Sequence, residues 1–298
     1  MARKKDIGTS RKNLRHQFLI VICISFAFIL LGQLIGSVLL TYPAMRIQDA
    51  GWLFMLDYAL FIGIDLIVLL YTFLAERDIF RSFLSDRFGG PPTNSLKMLG
   101  FGLLAGFLMN LFCAMIAFIG GDLDFSFGSL DIPYLVFALP LIFIQSAAEE
   151  LVTRGYMLGA LRERYGSCAA VLINSLFFAA LHLLNPGITI LSLTHIALVG
   201  LLCSLVVEYT GSMWFVMALH TAWNYTQNIL LGLPNSGIVS PRSLLHLEAA
   251  TDSILYSYEF GIEGGLPGVI LYATCSLLLF IYRDKIRSAY SKTNSEVR

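Results

Sequence analysis

The sequence predicts an all-α fold: a polytopic membrane protein of about eight transmembrane helices. Three observations carry this. Hydrophobic residues make up 57% of the 298 positions and charged residues only 13%, against about 25% charged in a soluble domain. Apolar windows near the length of a membrane span recur along the chain. The connections between them alternate between rich and poor in Lys and Arg. The mean hydropathy is +0.73. A net charge of zero gives no electrostatic footprint for nucleic acid. The cysteines, Cys23, Cys113, Cys168, Cys203 and Cys275, fall at irregular spacings in apolar segments without a CxxC, so no disulfide framework is implied.

A spanning helix needs about 20 mostly apolar residues. The windows that qualify are 17–40, 52–75, 98–119, 133–161, 168–185, 188–208, 213–232 and 265–282. The first follows a basic segment and is longer than a signal-peptide core, with no A-x-A-like cleavage site, so it reads as a retained helix. With the N-terminus in the cytoplasm, Arg3, Lys4, Lys5, Arg11, Lys12, Arg15, Arg77, Arg81, Arg87, Lys97, Arg162, Arg164, Arg283, Lys285, Arg287, Lys292 and Arg298 all fall on the cytoplasmic side. Arg46 and Arg242 fall opposite and Arg154 lies within a span. This asymmetry satisfies the positive-inside rule and places both termini in the cytoplasm. The chain shows no internal repeat. GGPPTN at 89–94 reads as a cytoplasmic turn and 233–264 as the longest outside loop. Trp52, Trp214 and Tyr282, near span ends, read as interface anchors.

The fourth window contains QSAAEELVTRGYM, residues 145–157. A charged side chain at a bilayer centre costs about 2.5–3.5 kcal/mol on insertion scales, so Glu149, Glu150 and Arg154 need partners, a wet cavity or a chemical task. Glu150 and Arg154, four apart, share a face and can pair. Glu149 points about 100° away and needs something else. His182 closes FFAALH, with Phe178 four residues earlier, and HTAWN places His220 and Asn224 on one face of another helix. Counted at about 1.5 Å per residue from Arg162, Gly166 and Gly211, Glu149, His182, His220 and Asn224 lie roughly 20, 24, 14 and 20 Å deep. Three helices thus bring four polar groups to one band of the membrane.

A desolvated carboxylate beside a neutral imidazole is a general-base arrangement, and a His with an Asn on one face can donate to a developing oxyanion. No Ser or Cys nucleophile with a placed base is evident, and HExxH is absent. Glu149, His182 and His220 also make a possible two-His, one-Glu zinc set; Asn224, a poor zinc ligand, weighs against it. The bland readings stand beside these. A Glu–Arg pair in a membrane helix is often only a structural bridge, and a lone His is more often packed than catalytic. His195 has no partner at helical spacing and reads as packing. Asp57 and Asp65, eight apart, mark a cavity or an outer contact and are assigned no chemistry.

EELVTR at 149–154, FAALH at 178–182 and HTAWN at 220–224, the last led in by GSMWFVMALH, resemble the EExxxR, FxxxH and HxxxN motifs of the CPBP family of CAAX proteases and bacteriocin-processing enzymes, also called Abi. The resemblance spans about 133–232, taken as a catalytic core between an N-terminal part at 1–132 and a C-terminal part at 233–298. It implies an intramembrane endopeptidase whose site lies inside a helical bundle and opens toward the cytoplasm. By that likeness Glu149 and His182 activate the attacking water and His220 with Asn224 form the oxyanion site. Glu150, Arg154 and Phe178 support them. The family is described both as metal-dependent and as glutamate-dependent, so a divalent metal such as zinc stays open. The implied partners are the bilayer and a membrane-associated peptide or protein, lipidated if it is CAAX-like. The expected location is a bacterial or archaeal plasma membrane. A non-catalytic immunity or peptide-binding factor is the first alternative. A proton-coupled transporter is the second, disfavoured by the missing repeat.

Overall fold

The computed structural model describes residues 14–84 and 93–292. Arg3, Lys4, Lys5, Arg11, Lys12, Arg87, Arg298 and positions 89–92 of the expected turn lie outside the described residues. The expected polytopic, helical architecture is present. The helices run α1 Phe18–Ala44, α2 Ala50–Ala59, α3 Ile62–Ala75, α4 Arg77–Leu84, α5 Leu96–Ile119, α6 Ile132–Glu150, α7 Leu158–Tyr165, α8 Ser167–Ala180, α9 Ile190–Thr210, α10 Met213–Tyr225, α11 Leu266–Ile281 and α12 Arg283–Lys292. A π-helical segment, Leu151–Met157, joins α6 to α7, and a second, Thr226–Leu230, follows α10.

Every apolar window falls on a helix, but not every helix is long enough to span. Among the described residues five qualify by length and composition: α1, α2–α3, α5, α6–α7 and α9. α11 with α12, bent by 64°, would make a sixth. This is fewer than the expected eight, for two reasons. α8 has 14 residues, about 20 Å of rise against a hydrocarbon core of about 30 Å, and α10, extended by its π segment, is interrupted by His220, Asn224, Gln227 and Asn228. Both carry site residues, and α10 is walled by protein rather than lipid: Val216, Ala218 and Thr221 are fully buried. The outer helices differ, with 22% of the best window of α1 buried against 61% for α9.

Short-range chemistry sets where these helices begin. Asp49, Ser95, Asp131 and Ser212 each cap an N-terminus by accepting from a backbone N–H, and Thr189 with Ser192 forms a capping box. Gly211, at φ 75°, ends α9, and Ser212 starts α10 immediately after it. That two-residue turn fixes the depth of His220. Two strands not signalled by the apolar windows, β1 Leu123–Phe127 and β2 Leu245–Ala250, pair antiparallel. They lie at the cation-poor end of the bundle, where Arg242 bridges Asp49 and Asp131. The other end carries ion pairs of Arg162 and Arg287 with Glu208, at 3.4 and 3.5 Å, and of Arg15 with Glu76, at 3.6 Å.

Small residues let helices approach where lipid gives no hydrophobic drive. A Cβ on Gly102 or Gly106 of α5 would collide with the carbonyls of Phe215 or Leu219 on α10. α5 thus presses directly on the helix carrying His220 and Asn224. Gly106→Val is expected to cost about 1–3 kcal/mol through overpacking and to lower the midpoint of thermal unfolding in detergent. Gly100→Val on the same helix, where a Cβ meets nothing within 4 Å, is expected to leave the midpoint near the parent value.

Candidate active site

The site is built around a charge that no water reaches. Glu150, the last residue of α6, is fully buried, as is Arg154 one turn on. Arg154 Nη1 donates to Glu150 Oε1 at 3.0 Å, the i,i+4 pair expected from the spacing. It also donates to Thr153 Oγ1 at 2.9 Å, and its guanidinium lies 4.2 Å from the centre of the Phe178 ring, a cation–π contact. Phe178 thereby ties α8 to the π segment. Thr153 O accepts from Asn174 Nδ2 at 2.7 Å, and Asn174 Oδ1 accepts from Ser204 Oγ at 2.9 Å, which extends the network to α9.

The same Glu150 oxygen receives α10. His220 Nδ1 lies 3.1 Å from Glu150 Oε1. A carboxylate already paired with a guanidinium can only accept, so Nδ1 carries a proton, and in the neutral ring Nε2 presents a lone pair. That lone pair faces Glu149, whose Oε2 is 3.8 Å away and accepts no hydrogen bond among the described residues. Glu149 is held by its other oxygen, which accepts from Gln145 Nε2 at 2.5 Å. Gln145 Oε1 accepts from Asn224 Nδ2 at 3.2 Å, and Asn224 Oδ1 accepts from Asn235 Nδ2 at 3.1 Å. Asn224 keeps one N–H uncommitted to these bonds.

His182 occupies the end of α8. Its Nδ1 donates to the Phe178 carbonyl at 2.9 Å, which leaves Nε2 as the acceptor. Among the described residues no hydrogen bond or ion pair joins His182 to Glu149. Both line one cavity of about 390 Å³, together with Gln145, His220, Asn224 and Asn235. The imidazole within reach of Glu149 is therefore that of His220, while His182 stands across the same cavity. The loop residues that line it, among them Asn185, Asn235, Ser236 and Glu263, all come from the cation-poor end.

Three of these partners escaped the sequence reading. Gln145 lies four residues before Glu149, the spacing that revealed the Glu150–Arg154 pair, and could have been found by the same rule. Asn235 and Glu263 sit in the outside loop, where no periodicity marks them. Glu263 is buried and accepts from Trp223 Nε1 at 2.9 Å. His195 is packed between Trp223 and Tyr272, with Nδ1 donating to the Glu263 carbonyl at 3.0 Å. Asp57 lines the cavity, and Asp65 is buried on α3. Among the described residues no group of three His, Cys, Asp or Glu side chains is gathered as a metal ion would require. Both ring nitrogens of His220 face carboxylates. Glu149, His182 and His220 as they stand do not fit a three-ligand centre.

Residues 131–226 match a family model described as type II CAAX prenyl endopeptidase Rce1-like. The match covers the whole of α6 through α10 and contains the three motifs, in agreement with the CPBP resemblance. It supports an integral membrane endopeptidase of the CAAX-protease type. No curated protein and no solved structure matches the chain.

The buried pair makes a specific demand on stability. Arg154→Met strands the Glu150 carboxylate and is expected to cost about 3–5 kcal/mol, whereas removing both charges with Glu150→Leu and Arg154→Met recovers most of it. Thermal unfolding in detergent reads both, and equal losses in the single and double variants would overturn this account.

Proposed function

We propose that the chain is an intramembrane endopeptidase that hydrolyses a peptide bond with water activated by Glu149 and His220. The observation that carries the reading is the pair of facing acceptors, Glu149 Oε2 and His220 Nε2, 3.8 Å apart on the wall of the cavity. Each accepts a hydrogen bond at about 2.8 Å, so a single water can donate one proton to each and keep a lone pair for the scissile carbonyl. As its oxygen bonds to the carbonyl carbon, one proton passes to the Glu149–His220 pair. The C–N bond then breaks as a proton reaches the leaving nitrogen. That proton is the one the Glu149–His220 pair took from the water, and His182 Nε2, an acceptor on the same cavity, relays it to the nitrogen. The uncommitted Asn224 N–H donates to the oxyanion, with Gln145 and Asn235 fixing the amide's direction. Glu150 holds the His220 tautomer and Arg154 holds Glu150.

The family likeness supports the same chemistry and extends it to a lipidated peptide near the membrane surface as the substrate. Here the roles are divided differently from those the motif likeness alone implies: His220 takes the water with Glu149, and His182 serves the proton.

A fluorogenic, membrane-anchored peptide offered to the purified protein tests the reading. Glu149→Gln is expected to abolish cleavage. Asn224→Ala is expected to lower kcat by about 10²–10³-fold, the usual loss for one oxyanion donor. His182→Ala is expected to retain more activity than His220→Ala. Cleavage that persists in Glu149→Gln would sink the proposal. Cleavage abolished by a chelator and restored by one divalent ion would replace it with a metal mechanism.

A further inference from the structure

Another carboxyl group reaches the cavity from the outside loop, and the chemistry above leaves it without a task. Glu263 lies in a single 3₁₀ turn, Ile262–Gly264, and is buried on the cavity wall. Its two oxygens take three neutral donors. Oε1 accepts from Trp223 Nε1 at 2.9 Å, and Oε2 accepts from the Ser236 N–H at 2.7 Å and from Ser236 Oγ at 2.8 Å. Among the described residues no ion pair joins it to a cation. Burying a carboxylate without a paired cation costs stability. What these three bonds supply is direction.

Ser236 belongs to a tight hairpin. Asn235 and Ile238 exchange backbone hydrogen bonds at 2.8 and 2.9 Å, and the two residues between them, Ser236 and Gly237, have φ of 49° and 84°. These are the positive dihedrals of a primed two-residue turn. Ser236 is the only non-glycine residue with positive φ among the described residues. Such a backbone persists where its surroundings hold it, and here every polar group of Ser236 is bonded. Its N–H and Oγ go to Glu263, and its carbonyl accepts from Asn185 Nδ2 at 3.0 Å. Asn185 lies in the turn after α8, with its own N–H on the His182 carbonyl at 3.0 Å. On the other side Gly261, at φ 78°, brings the chain before Glu263 against the Pro234 carbonyl, where a Cβ would collide. The hairpin is thus gripped between Glu263 and the end of α8.

We infer that Glu263 is a positioning residue for the oxyanion amide, acting through Ser236 and Asn235 on Asn224, an inference that rests on the endopeptidase reading above. The bonds form a continuous chain. Glu263 fixes the Ser236 N–H, Asn235 is the residue before it, and Asn235 Nδ2 donates to Asn224 Oδ1 at 3.1 Å. Asn224 needs this support. Turned by 180°, its amide would aim oxygen instead of N–H at the cavity and repel the developing oxyanion. The Asn235 donor forbids that turn only while the hairpin keeps it in place. Trp223, the other partner of Glu263, directly precedes Asn224 on α10, so both oxygens bear on neighbours of the same amide. A carboxyl group is what this position requires. Trp223 Nε1–H and the Ser236 N–H can only donate, and the NH₂ of a glutamine would have to face one of them.

Double-mutant cycles on cleavage of the membrane-anchored peptide separate this role from simple support of the fold. Glu263→Gln is expected to lower kcat by about 10²-fold, the loss that a displacement of about 1 Å can bring, with KM little changed. Combined with Asn224→Ala, which already lacks the amide, it is expected to add less than about twofold. Ser236→Gly keeps the positive-φ backbone and its N–H but loses the hydroxyl. It is expected to show a smaller loss of kcat at the parent's thermal midpoint, again absent when combined with Asn224→Ala. A Glu263→Gln loss that multiplies in full with that of Asn224→Ala would overturn the inference and leave the endopeptidase reading standing. Parent kcat in a folded Glu263→Gln would do the same. If Glu263→Gln does not fold, Ser236→Gly decides by the same cycle. A parent chain that cleaves no peptide overturns both readings.

Discussion

One buried oxygen holds the site together. Glu150 Oε1 accepts from the Arg154 guanidinium and from the His220 ring at once. It therefore joins the motif-bearing π segment to α10 across the bundle. A carboxylate taken out of water is tolerable only when its attractions and hydrogen bonds are both in place. Moving α10 by an ångström would lose the His220 bond, and moving Phe178 would uncover the guanidinium. The charge is costly to bury, and that cost is what makes the arrangement specific. Glu149, beside it, keeps Oε2 uncommitted to any described hydrogen bond.

The packing around this centre serves position more than strength. α5 has glycines where α10 presses on it, so α10 is held from behind by backbone contact. Asn110 on α5 donates to the Trp223 carbonyl at 3.2 Å and to Gln227 at 3.0 Å, pinning the end of α10 from the same side. The outside loop completes the enclosure through Asn235 and Glu263. The outermost helices, α1 and α3, meet through Gly32, Gly36 and Gly63 and contribute Ile29 and Ile64 to the cavity lining. They give the cavity an apolar side facing the polar one.

Much of this was legible in the sequence, and the divisions are physical. Composition and window length gave the membrane class, because lipid contact demands apolar residues over a fixed length. Helical spacing gave the Glu150–Arg154 pair, since residues four apart meet whatever surrounds them. The depth estimate placed Glu149, His182, His220 and Asn224 in one band, and the four line one cavity. It did not show that His220 rather than His182 reaches Glu149, because that depends on how helices rotate about their axes. Five or six helices qualify as spans by length and composition where about eight windows were counted, because apolar windows do not distinguish lipid-facing helices from inner ones such as α8 and α10. Asn235 and Glu263 were missed because loop residues reach a site by chain path, which leaves no period.

The π segment at Leu151–Met157 adds a last constraint. A π turn accommodates one residue more than an α turn, so α7 sits where it does because of a single additional amino acid. Losing that residue to a three-nucleotide deletion would leave the composition and the apolar profile almost unchanged. It would let the turn close with ordinary α-helical hydrogen bonds and so remove the bulge that carries Arg154. A change invisible to any hydropathy profile can thus reshape the one turn that joins Glu150 to Arg154.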